Sequence, residues 1–364
     1  MLRWKKILVA TDFSPAAHVA LRSAERLARE AGGTLIVTHV VEPLSLSYSA
    51  RRSTLSIDDV ETVSEREAHA TLDKVVAGSR KRRARVQGVL RVGKPWVEIL
   101  EVARERGVEA ICLGNSGRSM FERLLLGSTA ENVVRRSPLP VLVTRHHPLT
   151  AVRRIVVPVA FDPGSRQALR VSTEAFPATT DVTAIHVIVP ASAFDPMVGI
   201  LVPDEAATDE ELREYLGQKA LGRARLQVHV ASDLTSVIHD YAQERKADLI
   251  VISTHGRRGI ARALLGSAAE KIVRYADRPV LVLPGPGRGW SPDAVVSRRA
   301  VAARTKRSRE GRSQSRAKGR RGHGPWTGQA HTGRGGPAGR RGAGSSAGKR
   351  KGGRKARPSK GENR

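Results

Sequence analysis

The stretch with chemical potential in this chain is Gly114 to Thr129, GNSGRSMFERLLLGST: two glycines three apart, nine residues, then Gly127-Ser128. Gly114 and Gly117 permit positive φ and let main-chain amides approach a ligand with no Cβ in the way. Ser128-Thr129-Ala130-Glu131 reads as a Ser-x-x-Glu capping box opening a helix through Arg136. The first amides of such a helix attract anions. Small residues and bare N–H groups in this order describe a phosphate cradle.

The elements that must hold the cradle are legible on either side. Ala110–Leu113 is an apolar run, a strand buried on both faces. The cradle therefore leaves the carboxyl end of a parallel strand, where open α/β sheets bind ligands. Upstream, Ile7–Thr11 is a strand ending in Asp12, and Ser14-Pro15 starts a helix that keeps its period to Gly32-Gly33. Taken alone, Asp12 reads either as a cap for that helix or as a ligand group. Strands over 34–41, 86–92 and 139–144 and helices near 57–77, 95–106 and 128–136 complete the unit.

The unit recurs. Ser253–Glu270 repeats the cradle 139 positions later, again with nine residues between Gly256 and Gly266, and Pro279-Val-Leu-Val repeats Pro140-Val-Leu-Val. Further upstream the offset is 148, pairing Ile7–Asp12 with Ile155–Ala160. Strands over 154–159, 181–189, 226–231, 248–252 and 279–283 alternate with helices over 164–176, about 208–221, 233–245 and 267–275. The expected fold class is α/β: two tandem doubly wound domains, each a five-stranded parallel sheet flanked by helices. Their expected spans are 1–147 and 148–284, with a basic tail over 285–364.

Composition bounds the rest. One cysteine, Cys112, excludes internal disulfides and paired-cysteine metal or redox chemistry, and fits a reducing cytosol. Nothing resembles a signal peptide or a membrane span, so a cytoplasmic protein with no membrane partner is expected. The net charge of +28 is concentrated: residues 285–364 carry 23 Lys and Arg against three acids, a net +20. With apolar periodicity lost after Val301, the tail reads as disordered.

With its repeated glycine loop, Asp12 and the Pro-Val-Leu-Val strands, the chain resembles the universal stress protein family over roughly residues 3–284, as a tandem two-domain member of its ATP-binding branch. The resemblance implies ATP as the ligand and admits Mg²⁺ with it. It implies Asp12 at the adenosine, a backbone contact from Val40 to adenine, Gly114 and Gly117 at the ribose and phosphate, and Gly127, Ser128 and Thr129 at the triphosphate end. Arg118 is placed by position to approach a phosphate. Asn115-Ser116 departs from the family's common Thr/Ser-His pair.

The second half keeps Gly256, Gly266 and Ser267 but has Ala160 for Asp12 and Ser253 for the first glycine. One competent nucleotide site is thus expected, in the first half, with the second half as partner in an intramolecular pseudo-dimer built by pairing the last strands. A homodimer beyond that stays open.

Other motifs carry less. Gly88-x4-Gly93-Lys94 imitates a phosphate-binding P-loop, yet Pro95 stands where a Ser or Thr must hold magnesium. His146-His147 lacks a third ligand, and His39 and His186 occupy equivalent strand positions with a structural role. No catalytic triad or carboxylate pair is present, so any ATP hydrolysis should be slow and incidental. The expected function is a stress-response sensor or regulator that binds ATP. Two alternatives remain: a non-nucleotide interaction protein, or a nucleic-acid or polyanion partner acting through the tail by counterion release.

Overall fold

The computed structural model describes residues 2–43, 57–82, 84–115, 126–190, 204–254 and 267–293. In the first half, β1 (Lys6–Ala10) leads to α1 (Pro15–Ala31), β2 (Thr34–Val41), α2 (Ile57–Lys81) and β3 (Arg85–Val92). Then come α3 (Pro95–Arg106), β4 (Ala110–Gly114), α4 (Ser128–Arg136) and β5 (Val141–Thr144). The second half runs β6 (Arg154–Pro158), α5 (Pro163–Glu174), β7 (Asp181–Ile188), α6 (Glu205–Leu216), α7 (Gln218–Leu221) and β8 (Arg225–Val230). It ends with α8 (Leu234–Glu244), β9 (Leu249–Ser253), α9 (Ser267–Tyr275) and β10 (Val280–Leu283).

The expected helix over 208–221 is in fact two. Gly217, at φ 75° and ψ 149°, breaks it between α6 and α7. That conformation is open to glycine at little cost and closed to a helix interior.

The ten strands among the described residues form one sheet, in the order β3-β2-β1-β4-β5-β10-β9-β6-β7-β8. Every pairing is parallel except β5 with β10, which is antiparallel, with Val143 opposite Val280 and Val141 opposite Val282. Both faces are buried, which is why the strands read as continuous apolar runs. One face carries Ile7, Val9, Leu35, Val37 and Cys112 under α1 and α2, and the other carries Leu8, Ile36, Ile111 and Leu113 under α3 and α4. Cys112 is fully buried, and burial pushes its thiol up to about 12. It is a packing residue.

The folded body extends past the expected boundary at 284. Trp290 packs against the core, Arg288 donates to the carbonyl of Arg135 at 2.6 Å, and Arg170 pairs with Asp293 at 2.5 Å. A segment rich in glycine and proline is held here by two ion or hydrogen-bond anchors and one ring, with no periodic pattern to reveal it. The tail beyond residue 293 lies outside the described residues.

Candidate functional site

The site is assembled at the carboxyl ends of β1, β2 and β4. Where β1 ends, Thr11 donates its amide to Thr38 O at 2.9 Å, and Nδ1 of His39 lies 2.7 Å from Thr11 O. Two residues on, Phe13 has φ 63°, unusual for a bulky side chain, and its ring lies 4.3 Å from that of His39. This bend swings Asp12 out of the strand. The carboxylate does not cap α1: Asp12 Oδ1 accepts from the amide of Ser14 at 2.9 Å, while Ser14 Oγ caps the helix by accepting from Ala17 N at 3.2 Å. His39, expected to be structural, is what holds this corner. His186 makes the equivalent contact with Val159 O in the second half, at 2.8 Å.

Gly114 ends β4, and its role differs from the expected one. Its φ is not positive. A Cβ there would sit 2.8 Å from Ala16 C and 2.9 Å from Ala17 N, so glycine is required by the close approach of the α1 backbone. Asn115 follows, 1% exposed, its amide bonded to Thr144 O at 2.8 Å and its carbonyl to the amide of Gly127, also at 2.8 Å. The two ends of the loop are thus tied together through one residue.

The start of α4 corrects the capping-box reading. Gly127 is the N-cap, at φ −59° and ψ 141°, and Ser128 is already inside the helix. No side chain caps this end among the described residues, and Glu131 turns instead to Arg135 at 2.7 Å. By contrast α1, α5, α6 and α8 are capped by Ser14, Asp162, Asp204 and Asp233. The N-cap amide of Gly127 is taken by Asn115 O, and among the described residues no side chain caps the first-turn amides that follow it. Such an end favours an anion.

These elements enclose a cavity of about 340 Å³, inside the range of roughly 300–1,000 Å³ typical of ligand sites. Asp12, Val40, Gly114, Gly127, Ser128 and Thr129 all line it. Gly117 and Arg118, the other two expected residues, lie outside the described residues. The lining is mixed: Val40, Pro95 and Ile99 are apolar, while Asp12 and the start of α4 are polar.

Thr38, Pro95, Ile99 and Asn115 were missed by sequence reasoning. Thr38 is fully buried with no partner for Oγ1 among the described residues, a hydroxyl inside the apolar run of β2 and in phase with Val40, which is the signal that could have found it. The false P-loop match resolves as expected: Gly88 lies within β3, and Lys94 precedes α3. Among the described residues, no group of three acidic, histidine or cysteine side chains is placed to hold a metal. None of the described helices is long and apolar enough to cross a membrane.

The family model described as "Universal stress protein family" matches residues 3–145 and 151–284, more than half of the chain. A universal stress protein of Mycolicibacterium smegmatis is 25% identical over 287 residues, covering 76% of this chain and 96% of that protein. One from Methanocaldococcus jannaschii is 29% identical over 154 residues, covering 39% of this chain and 95% of its own length. The crystal structure of a universal stress protein from Archaeoglobus fulgidus shares the fold, with a TM-score of 0.56 at 22% identity over 77% of this chain and 96% of that one.

Proposed function

The chain belongs to the universal stress protein family, and from that premise we propose that its first half binds ATP and that the protein acts as a nucleotide-dependent sensor or regulator in a stress response. The observation that carries this reading is one cavity lined together by Asp12, by apolar residues and by the start of α4, which no side chain caps among the described residues. The apolar residues suit a base beside the backbone of Val40. Asp12 suits the hydroxyls of a ribose, since a carboxylate accepts two hydrogen bonds at once. The amides at Ser128 and Thr129 suit the phosphates. Mg²⁺ would enter on the phosphates, keeping most of its water shell.

Titration calorimetry with ATP tests it. Losing a charged acceptor costs about 1.5–3 kcal/mol, so Asp12→Ala should weaken ATP binding roughly tenfold to a hundredfold. Equal and negligible binding by the native chain and the variant would overturn the reading in favour of a non-nucleotide interaction protein. Native mass spectrometry of the purified protein adds an independent check through co-purified adenine nucleotide.

The charge of residues 285–364, 23 Lys and Arg against three acids, favours a second reading, in which the tail binds a polyanion such as DNA. A tail touching about ten phosphates predicts a log–log salt slope near −9 for DNA affinity. A chain truncated after Asp293 that keeps the full affinity would discard it.

A further inference from the structure

The cavity lies in the first half, but one of its walls is anchored in the second. Asn115 lines the cavity, and its side-chain Nδ2 donates at 3.3 Å to the carbonyl of Arg274, in the last turn of α9. Its main chain meanwhile bonds Thr144 at the end of β5 and Gly127 at the start of α4. One buried residue therefore joins both ends of the glycine loop, the strand that forms the seam between halves, and a helix across that seam.

The counterpart position in the second half does not repeat this. Thr254 keeps the equivalent backbone bond, from its amide to Leu283 O at 2.9 Å, but its hydroxyl stays local, accepting from Gly285 N at 2.9 Å. The carbonyl of Arg135, which matches that of Arg274, is taken by Arg288 instead. So only the first half sends a cavity residue across the seam, from Asn115 to α9, while Arg288 crosses the other way from a position past β10.

We propose that Asn115 is a positioning residue through which α9 of the second half sets the shape of the first half's ligand site, and through which a bound ligand stiffens α9. This deepens the nucleotide reading and rests on it. A ligand seated between Gly114 and Gly127 needs the loop ends where Asn115 holds them, and Asn115 is held by Arg274 O. Thermodynamic linkage then makes the effect mutual: what steadies α9 tightens the site, and what fills the site protects α9.

The experiment is hydrogen exchange read by mass spectrometry on residues 267–276 of the full chain, with and without saturating ATP, beside calorimetric titration of the same samples. In the native chain, ATP should slow exchange in this segment severalfold. Asn115→Ser keeps the main-chain bonds but cannot reach Arg274 O. It should weaken ATP binding about fivefold, the worth of one ordinary hydrogen bond, and abolish the ATP-dependent slowing in α9. A merely structural asparagine would lower stability equally with and without ATP and leave the slowing intact, which overturns the proposal. Binding of ATP by the native chain with no change in α9 overturns it too, even if the variant does not fold, and leaves the nucleotide reading standing. A native chain that binds no ATP removes both.

Discussion

The two halves share a fold but solve the same corner in different ways. In the first, Gly114 lets the α1 backbone at Ala16 come within Cβ-clash distance. In the second, Ser253 stands in the glycine's place, and the counterpart of Ala16 is Gly164, whose missing Cβ would meet Ser253 Cβ at 3.0 Å. The glycine has changed sides, and the helix still fits. Around it, Ala17 lines the first half's cavity, whereas its counterpart Ser165 is engaged locally, accepting from Ala160 N at 2.8 Å and donating to Asp162 Oδ2 at 2.9 Å. The steric demand of the fold is met in both halves by compensating residues. The ligand-facing demand is met in one: Asp12 has no substitute opposite Ala160. Packing and binding are separable requirements at this corner.

The sharpest way to break that comparison is to move the glycine. Gly114→Ser places a Cβ against main-chain atoms that cannot rotate away, so the cost should lie near the top of the overpacking range, about 3 kcal/mol. Adding Ala16→Gly leaves those main-chain atoms in place but recreates the second half's pair of residues, and by letting α1 settle differently against the strand it should recover part of the loss. Urea midpoints of the two single variants and the double one decide it through the coupling energy. Strict additivity would mean that the exchange of glycine between the two halves is coincidental.

A second contrast concerns charge. Glu25 on α1 is 2% exposed and takes a two-pronged hydrogen bond from Arg82, at 2.5 Å for the shortest contact, whereas Thr173 fills the counterpart position in α5 and bonds Leu169 O. Burial alone would push the Glu25 carboxyl up. The hydrogen bonds from Arg82 and Ser79, with the charges of Arg82 and Arg22, outweigh it and hold the group below its ordinary 4.5. A depressed value in the folded chain means stability that is fully present above pH 4.5 and is lost as the pH falls through the lower, folded value. Arg82→Ala strands the carboxylate. Because Arg82 is itself 35% exposed, the expected loss at pH 7 is about 2 kcal/mol, below that of a fully buried pair. The acid limb should then change sign, since an unpaired buried carboxyl gains from protonation. Denaturant midpoints between pH 7 and pH 3 report both effects.

How far the sequence foretold this depends on how local each cause is. Apolar runs placed the strands to within a residue or two, because a strand buried on both faces must be apolar whatever it packs against; the helices followed less evenly, with α2 running on to Lys81 and the expected helix over 208–221 divided at Gly217. The glycine spacing located the loop, and six of eight expected residues meet at one cavity. The purpose of Gly114 was not legible, since what it accommodates is Ala16, nearly a hundred residues away in the chain. Ser128 looked like a cap because a serine before a helical period usually is one, but Gly127 and Asn115 had already closed the turn a residue earlier. The reach of Asn115 to Arg274 depends on how the halves meet, which no local pattern encodes.

The smallest expected effect separates capping from binding at the matched helix starts. Ser14 caps α1 and Asp162 caps α5, so removing either oxygen should cost about 1 kcal/mol of stability. The two differ in their surroundings. Ser14 lines the cavity, and its amide holds Asp12 Oδ1, whereas Asp162 serves only its own helix and Ser165 among the described contacts. Ser14→Ala leaves that amide in place but loosens the first turn that carries it. Its ATP affinity should therefore fall by a small factor, about twofold to threefold, on the order of half a kcal/mol, while Asp162→Ala leaves affinity unchanged at a similar loss of stability. Thermal melts give the first quantity and calorimetric titration the second. Equal affinity losses in both would mean that the two halves share one ligand site and that the contrast drawn at Asp12 and Ala160 is the wrong one.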